Sequence, residues 1–245
     1  MSETHEQWLA RLSEQSKAKQ EQFMNDIAAK LRHPRMTEKP VQPYRGAPDF
    51  WQAFNWSQEE KEAQFIDNFQ SVGGHTARLA SMEEAKAYII NKTEELGAKY
   101  IVRQNEPELA ALKLEEELKQ RLPEAEVKAW NTDEEHAWMA EAAQADIGIV
   151  MADHAVAYTG SITVLSAHNK GRSVSLLPTV MFFIIPVERL HTRLGEVLGG
   201  FDQAGRETLP AGIHFISGPS RSSDIENDLT IGVHGPGVVY ALLVG

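Results

Sequence analysis

The chain has 245 residues, no cysteine, and 24 basic against 35 acidic side chains, a formal charge of −11. Without thiols it builds no disulfide scaffold, zinc ribbon, cysteine nucleophile or iron–sulfur cluster of its own. Its acidity works against generic nucleic-acid binding, which needs a basic footprint to displace phosphate counterions.

Residues 4–32 contain neither Gly nor Pro. Apolar side chains recur four apart at Trp8 and Leu12, and again at Phe23, Ile27 and Leu31, around a polar middle. That spacing predicts a helix with two apolar ends, suited to docking on its own domain or on a second subunit, with a homo-oligomer as one outcome. The polar start lacks the basic leader and apolar core of a signal peptide, so a cytoplasmic chain is expected. Residues 33–56 hold Pro34, Pro40, Pro43 and Pro48 and read as an extended arm. Tyr44, Phe50, Trp51, Phe54 and Trp56 load the arm with rings that favour a surface over water, its own core before a ligand cage.

From residue 57 helical and strand patterns alternate. Three capping boxes, Ser57 with Glu60, Ser81 with Glu84 and Thr132 with Glu135, start helices near 58–71, 82–96 and 133–144. Gly97 suits the left-handed end of the second, and Pro107 opens a further helix over 107–121. Short apolar strands are expected at His75–Leu79, Tyr100–Arg103, Val127–Trp130 and Ile147–Met151, a rhythm that builds a parallel sheet covered by helices. Beyond 151 the strands crowd together: Ile162–Ser166, Val174–Leu177 and Val180–Pro186, then a helix over 187–198, then Ile213–Ser217 and Val238–Val244. Close spacing permits antiparallel pairing, so the fold expected is a three-layer α/β arrangement with a mixed, mainly parallel sheet. The domains are an N-terminal helix and arm, 1–56, and an α/β domain, 57–245. The apolar run Val180–Val187 is too short to span a bilayer, which takes about 20 residues.

The unusual chemistry lies in the last 90 or so residues. Gly218 to Glu226 (GPSRSSDIE) follows a strand as a Gly-Pro turn with hydroxyls, and reads as a strand end feeding a helical turn. In open α/β sheets such ends bind ligands. Gly218, Ser220, Arg221, Asp224 and Glu226 are therefore candidate contacts for a small anion, with helix capping as the plainer reading. His234, between strand-like residues and a Gly-Pro-Gly turn, is either an acid/base near neutral pH or a turn-fixing hydrogen-bond partner. Thr159, Gly160 and Ser161 open a strand where glycine allows close backbone approach. Lys170 and Arg172 place two cations in a hairpin-like turn, a second anion contact or a solvated turn, with Ser175 just beyond. The dinucleotide, P-loop, HExxH and GxSxG signatures are absent, and the nine histidines show no i, i+4 pair, so no metal site is expected.

Four runs in order carry a family resemblance: YTGS at Tyr158–Ser161 (after Ala152 and Asp153), GRSVSLLP at Gly171–Pro178, FISGPSRSSDIE at Phe215–Glu226 and GVHGP at Gly232–Pro236. Together they resemble the LUD domain of the lactate utilization protein C family (LutC, formerly YkgG), over about residues 60–245. The resemblance implies a fold of the NagB/RpiA/CoA-transferase type. It also implies a role in oxidising L-lactate to pyruvate beside two iron–sulfur proteins, LutA and LutB, which hold the clusters. The lack of cysteine fits the C member and not the B member. One departure is Tyr158, where the family commonly carries an acid. The family transfers no agreed catalytic residue. Three readings follow: a non-redox subunit of a lactate-oxidising complex that binds a small carboxylate; a free-standing enzyme, sugar-phosphate isomerase-like or ligase-like, with Asp224 or Glu226 as base; or a pure assembly protein.

Overall fold

The computed structural model describes residues 4–35, 37–38, 54–131, 137–223 and 229–245. The chain divides into two units, 1–52 and 53–245.

The first unit is built on α1, His5–Leu31. Thr4 and Gln7 cap it reciprocally, a box the opening sequence contains and the reading above passed over. Most of the arm, including Tyr44, Phe50 and Trp51, lies outside the described residues.

The second unit runs α2 (Gln58–Ser71), β1 (His75–Leu79), α3 (Met82–Leu96), β2 (Tyr100–Arg103), α4 (Pro107–Ala111), α5 (Leu114–Arg121), β3 (Glu126–Ala129), α6 (Trp138–Gln144) and β4 (Ile147–Met151). There follow β5 (His154–Val156), β6 (Ser161–Leu165), α7 (Arg172–Leu176), β7 (Val180–Pro186), β8 (Leu190–His191), α8 (Leu194–Ala204), β9 (Ile213–Ile216), β10 (Arg221–Ser223), β11 (Leu229–Ile231) and β12 (Val238–Val244). Ser57 with Glu60 forms the expected reciprocal box. At α3 the Ser81 hydroxyl accepts from the Glu84 amide, while Glu84 reaches back to Ala80 instead. Gly97 ends α3 at φ 63°. The Thr132 with Glu135 pair lies outside the described residues.

Six strands make a wholly parallel sheet in the order β1-β12-β7-β4-β2-β3. A separate four-stranded sheet, β8-β5-β6-β9, holds the antiparallel pairs β5 with β6 and β6 with β9, while β8 joins β5 in parallel. β4, β7 and β12 in the middle of the large sheet are buried on both faces, which is why they read as unbroken apolar runs, while the edge strands β1 and β3 stay partly exposed. Alternate residues of β7 go to opposite clusters. Met181, Phe183 and Ile185 pack with α2, α6, α7 and the second sheet, while Val180, Phe182 and Ile184 pack with α3, α4 and α5. β12 divides in the same way.

Three expectations change. The strand expected at Val174–Leu177 is the helix α7, whose backbone lies on β4 at Gly148. A Cβ there would meet the Val174 carbonyl oxygen at 2.4 Å, so glycine admits a helix onto the strand. The helix expected over 187–198 is a 3-10 turn, then β8, then α8. Leu190 is drawn into the second sheet opposite Ala155, which delays the helix. The helix over 107–121 is two helices, broken where Lys113 takes φ 50°. Leu112 and Leu114, two apart, cannot share one helical face; the left-handed residue between them lets both be buried.

Candidate functional site

Four sequence motifs converge at the amino end of the parallel sheet. Gly160 has φ 56°, and a Cβ there would meet the Asn68 and Phe69 backbone at 2.9 Å, so the loop lies directly on α2. The Asn68 amide fastens it, donating to the Ala157 and Tyr158 carbonyls at 2.9 and 3.1 Å. The Ser161 hydroxyl donates to Thr159 Oγ1 at 2.8 Å and pairs with Ser217 Oγ at 2.7 Å. That contact joins the first motif to the third. Gly218, at φ 86°, lies against Val72 at the end of α2. The Ser220 amide donates to the Pro236 carbonyl at 2.8 Å, and the Gly232 amide to the Ser220 carbonyl at 2.9 Å, which joins the third motif to the fourth.

The segment after Gly218 is not a helical turn. It enters a hairpin, β10 antiparallel to β11. Because β9 belongs to the second sheet, this loop sits at the amino ends of the large sheet, not its carboxyl ends. The Arg221 guanidinium donates to the Val72 carbonyl, which anchors the hairpin to α2 and leaves its other N–H groups for any anion. Ser175 is fully buried and its hydroxyl donates to the Arg172 carbonyl at 3.0 Å, a bond within α7. Arg172 is exposed and stands near His214 of the second sheet, away from the serine cluster's hydrogen bonds. Asp224 and Glu226 lie outside the described residues.

Beside the fourth motif is a cavity of about 620 Å³, lined by Leu176, Leu177, Thr179, Ile231, Val233 and His234 among others. The Gly237 amide donates to the Thr179 carbonyl at 3.0 Å, which fixes the loop to the start of β7. The cavity combines an exposed imidazole, a threonine and a glycine-rich backbone with an apolar wall. Such a lining can hold a small carboxylate by hydrogen bonds at one end and its carbon chain at the other.

A second polar constellation escaped the sequence reading. At the carboxyl ends of β2 and β4, where the strand order reverses direction, Lys170 is only 7% exposed. Its ammonium lies 2.6 Å from Asp153 and 3.0 Å from Glu106. The expected solvated or anion-binding turn cation is thus already paired with carboxylates. Burial holds the Glu106 carboxyl above its ordinary value, opposed by the Lys170 charge. Gln104 is fully buried, and both atoms of its amide lack a hydrogen-bond partner among the described residues. A cavity of about 580 Å³ opens at the same end of the sheet, lined by Ser81, Glu83, Glu108, Met151, Arg189 and Gly245 among others. The readable signal was an acid just past each apolar strand, Glu106 after β2 and Asp153 after β4.

The second sheet carries a further pair: His154 Nδ1 lies 3.1 Å from His191 Nε2, and His191 Nδ1 lies 3.7 Å from Glu196. Among the described residues no group of three or more His, Cys, Asp or Glu side chains is placed to hold a metal ion, and no helix is long and apolar enough to cross a membrane.

Comparison with known proteins adds three likenesses. The chain is 35% identical to the lactate utilization protein C of Halalkalibacterium halodurans over 224 residues, 89% of this chain and 94% of that one. It is 33% identical to the lactate utilization protein C of Shouchella clausii over 217 residues, 87% and 92% of the two chains. A crystal structure of a DUF162 family protein from Deinococcus radiodurans superposes with a TM-score of 0.55 at 20% identity, covering 78% of this chain and 99% of that one, a likeness of fold. The family profile of the LUD domain matches residues 62–244. That span begins inside α2 and ends with the last residue of β12, so it takes in both sheets and all four converging motifs: the chain belongs to the LUD domain family.

Proposed function

We propose that this chain is a non-redox subunit of a lactate utilization system, and that it holds a small carboxylate in the cavity beside His234. The observation that carries the reading is the likeness to lactate utilization protein C chains over nearly their whole length. Oxidation of L-lactate to pyruvate releases two electrons and two protons, and cofactors rather than side chains accept the electrons. A chain with no cysteine supplies no thiolate for a cluster. The acceptor is then on partner proteins, the iron–sulfur proteins LutA and LutB. The contribution of this chain is to present a carboxylate to them, with the His234 ring and the backbone N–H groups of residues 233–235 as donors.

Three measurements on the native system test this. Deleting the gene abolishes growth on L-lactate. The purified chain alone leaves lactate unoxidised with an artificial acceptor, whereas turnover by the lone chain would overturn the subunit reading. Calorimetric titration with pyruvate or lactate gives binding that His234→Ala weakens about tenfold, the scale of one charge-assisted hydrogen bond. Unchanged affinity in that variant would remove the cavity from the proposal.

A further inference from the structure

Gln104, Glu106 and Trp130 hold polar atoms that are shielded from water and have no hydrogen-bond partner among the described residues. They are both atoms of the Gln104 amide, Oε2 of Glu106 and Nε1 of Trp130. Gln104 is fully buried, Glu106 is 8% exposed and Trp130 9%. Each such group costs the fold stability, a cost that a leucine at 104 avoids. The groups lie together. β2 and β3 run parallel with Arg103 opposite Ala129, and the Trp130 amide donates to the Arg103 carbonyl at 2.8 Å, so Gln104 and Trp130 are neighbours on one face. Residues 167–171 pack against them. The Asn105 amide donates to the Asn169 carbonyl at 3.0 Å, and the Asn169 side-chain amide to the Asn105 carbonyl at 2.7 Å. Lys170 bonds Glu106, and a Cβ on Gly171 would strike Trp130 Cε2, the atom bonded to Nε1. The Ala167 and Lys170 amides donate to each other's carbonyls and close the loop as a tight turn.

We infer that this loop covers a binding site for a small hydroxycarboxylate at the carboxyl ends of β2 and β4, with Glu106 standing where the ligand carboxylate binds. In open α/β sheets ligands bind at such strand ends, where the strand order reverses. Lys170 selects the carboxylate, because its ammonium already holds two, Asp153 at 2.6 Å and Glu106 at 3.0 Å. The Leu165 amide fixes the other oxygen of Asp153 at 2.7 Å, whereas the second oxygen of Glu106 is unbonded. Glu106 is therefore the carboxylate that gives way, and exchanging it for a ligand carboxylate leaves the buried charge unchanged. The ligand carboxylate accepts from Lys170, Gln104 Nε2 and Trp130 Nε1. The Gln104 carbonyl oxygen then needs a donor, which a hydroxyl beside the carboxylate supplies. This site is at the opposite end of the sheet from His234 and stands independently of the cavity there.

Calorimetric titration of the full-length chain with glycolate, and with acetate, which lacks the hydroxyl, tests the site. Glu106→Gln removes the competing carboxylate and tightens glycolate binding about tenfold or more. Gln104→Leu weakens it about tenfold and raises the thermal transition, because no buried amide is left unbonded. Acetate binds the Glu106→Gln chain about tenfold more weakly than glycolate does. Both substitutions are remote from His234, so they report on this site alone. An affinity that neither substitution changes, no glycolate binding by the Glu106→Gln chain, acetate binding as tight as glycolate binding, or a lower thermal transition for Gln104→Leu would each overturn the inference.

Discussion

Lys170 shows how much one side chain depends on its surroundings. It holds two carboxylates, Asp153 and Glu106, at the carboxyl end of the parallel sheet, all three largely shielded from water. Removing one partner of a buried pair leaves an uncompensated charge, which costs about 3–5 kcal/mol. Lys170→Met therefore lowers the unfolding free energy measured in urea by that amount, and adding Glu106→Gln recovers part of the loss; a change within experimental error would show that water already screens the group. The histidines of the second sheet act through pH. Burial holds His154, His191 and His214 below the ordinary imidazole value of 6.5. At His154 the neighbouring His191, Arg189 and Lys170 charges add to that depression, against Asp153. Below pH 6.5 the unfolded chain then binds more protons than the folded one, so the contribution of these rings is complete above 6.5 and is lost as the pH falls. Chemical denaturation across that range should show a shallower decline for His154→Asn than for the native chain. Parallel pH profiles would refute the assignment.

Among the elements, Gly160 and Gly171 must lack a side chain for different reasons. Gly160 needs both its positive φ and the missing Cβ, because the α2 backbone is in the way. Gly160→Ala is expected to cost more than about 1 kcal/mol in thermal unfolding and to loosen the Thr159–Ser161 loop. Full stability in the variant would mean that α2 gives way. Gly171 has an ordinary φ, and only the Trp130 ring, 2.2 Å from where its Cβ would be, forbids a side chain. The elements that sequence misassigned share a cause. α7 is a five-residue helix whose apolar residues suit a strand equally well, and nothing local distinguishes the two. The helix start at Gln58, by contrast, is written in adjacent residues as a hydroxyl and a glutamate three apart.

At the scale of the molecule, both buried clusters consist of residues within 53–245, so the second unit carries its own core. A chain beginning at residue 53 should keep one cooperative calorimetric transition near that of the full protein. A broad or much lower transition would show that the first unit supplies stability to the second. The central sheet was legible because its middle strands are buried on both faces and helices separate the strands, the first two of this unit started by serine caps. The site was legible only in part. The motifs around Thr159, Gly218 and His234 marked themselves by composition, but which sheet end they occupy depends on β9 joining the other sheet. The Glu106, Asp153 and Lys170 cluster draws on three loops far apart in sequence and has no local signature.

The sequence alone determined the absence of thiol chemistry, the acidic balance, the N-terminal helix and most strands of the parallel sheet. Each of these is composition or a short-range pattern, fixed by backbone geometry within a few residues. Tertiary structure decided that β5, β6, β8 and β9 form their own sheet, that the loops around Thr159, Gly218 and His234 gather at the amino end, and that Lys170 is a buried ion-pair partner. These outcomes rest on contacts between residues distant along the chain, where burial and steric fit at positions such as Gly148 override local preference.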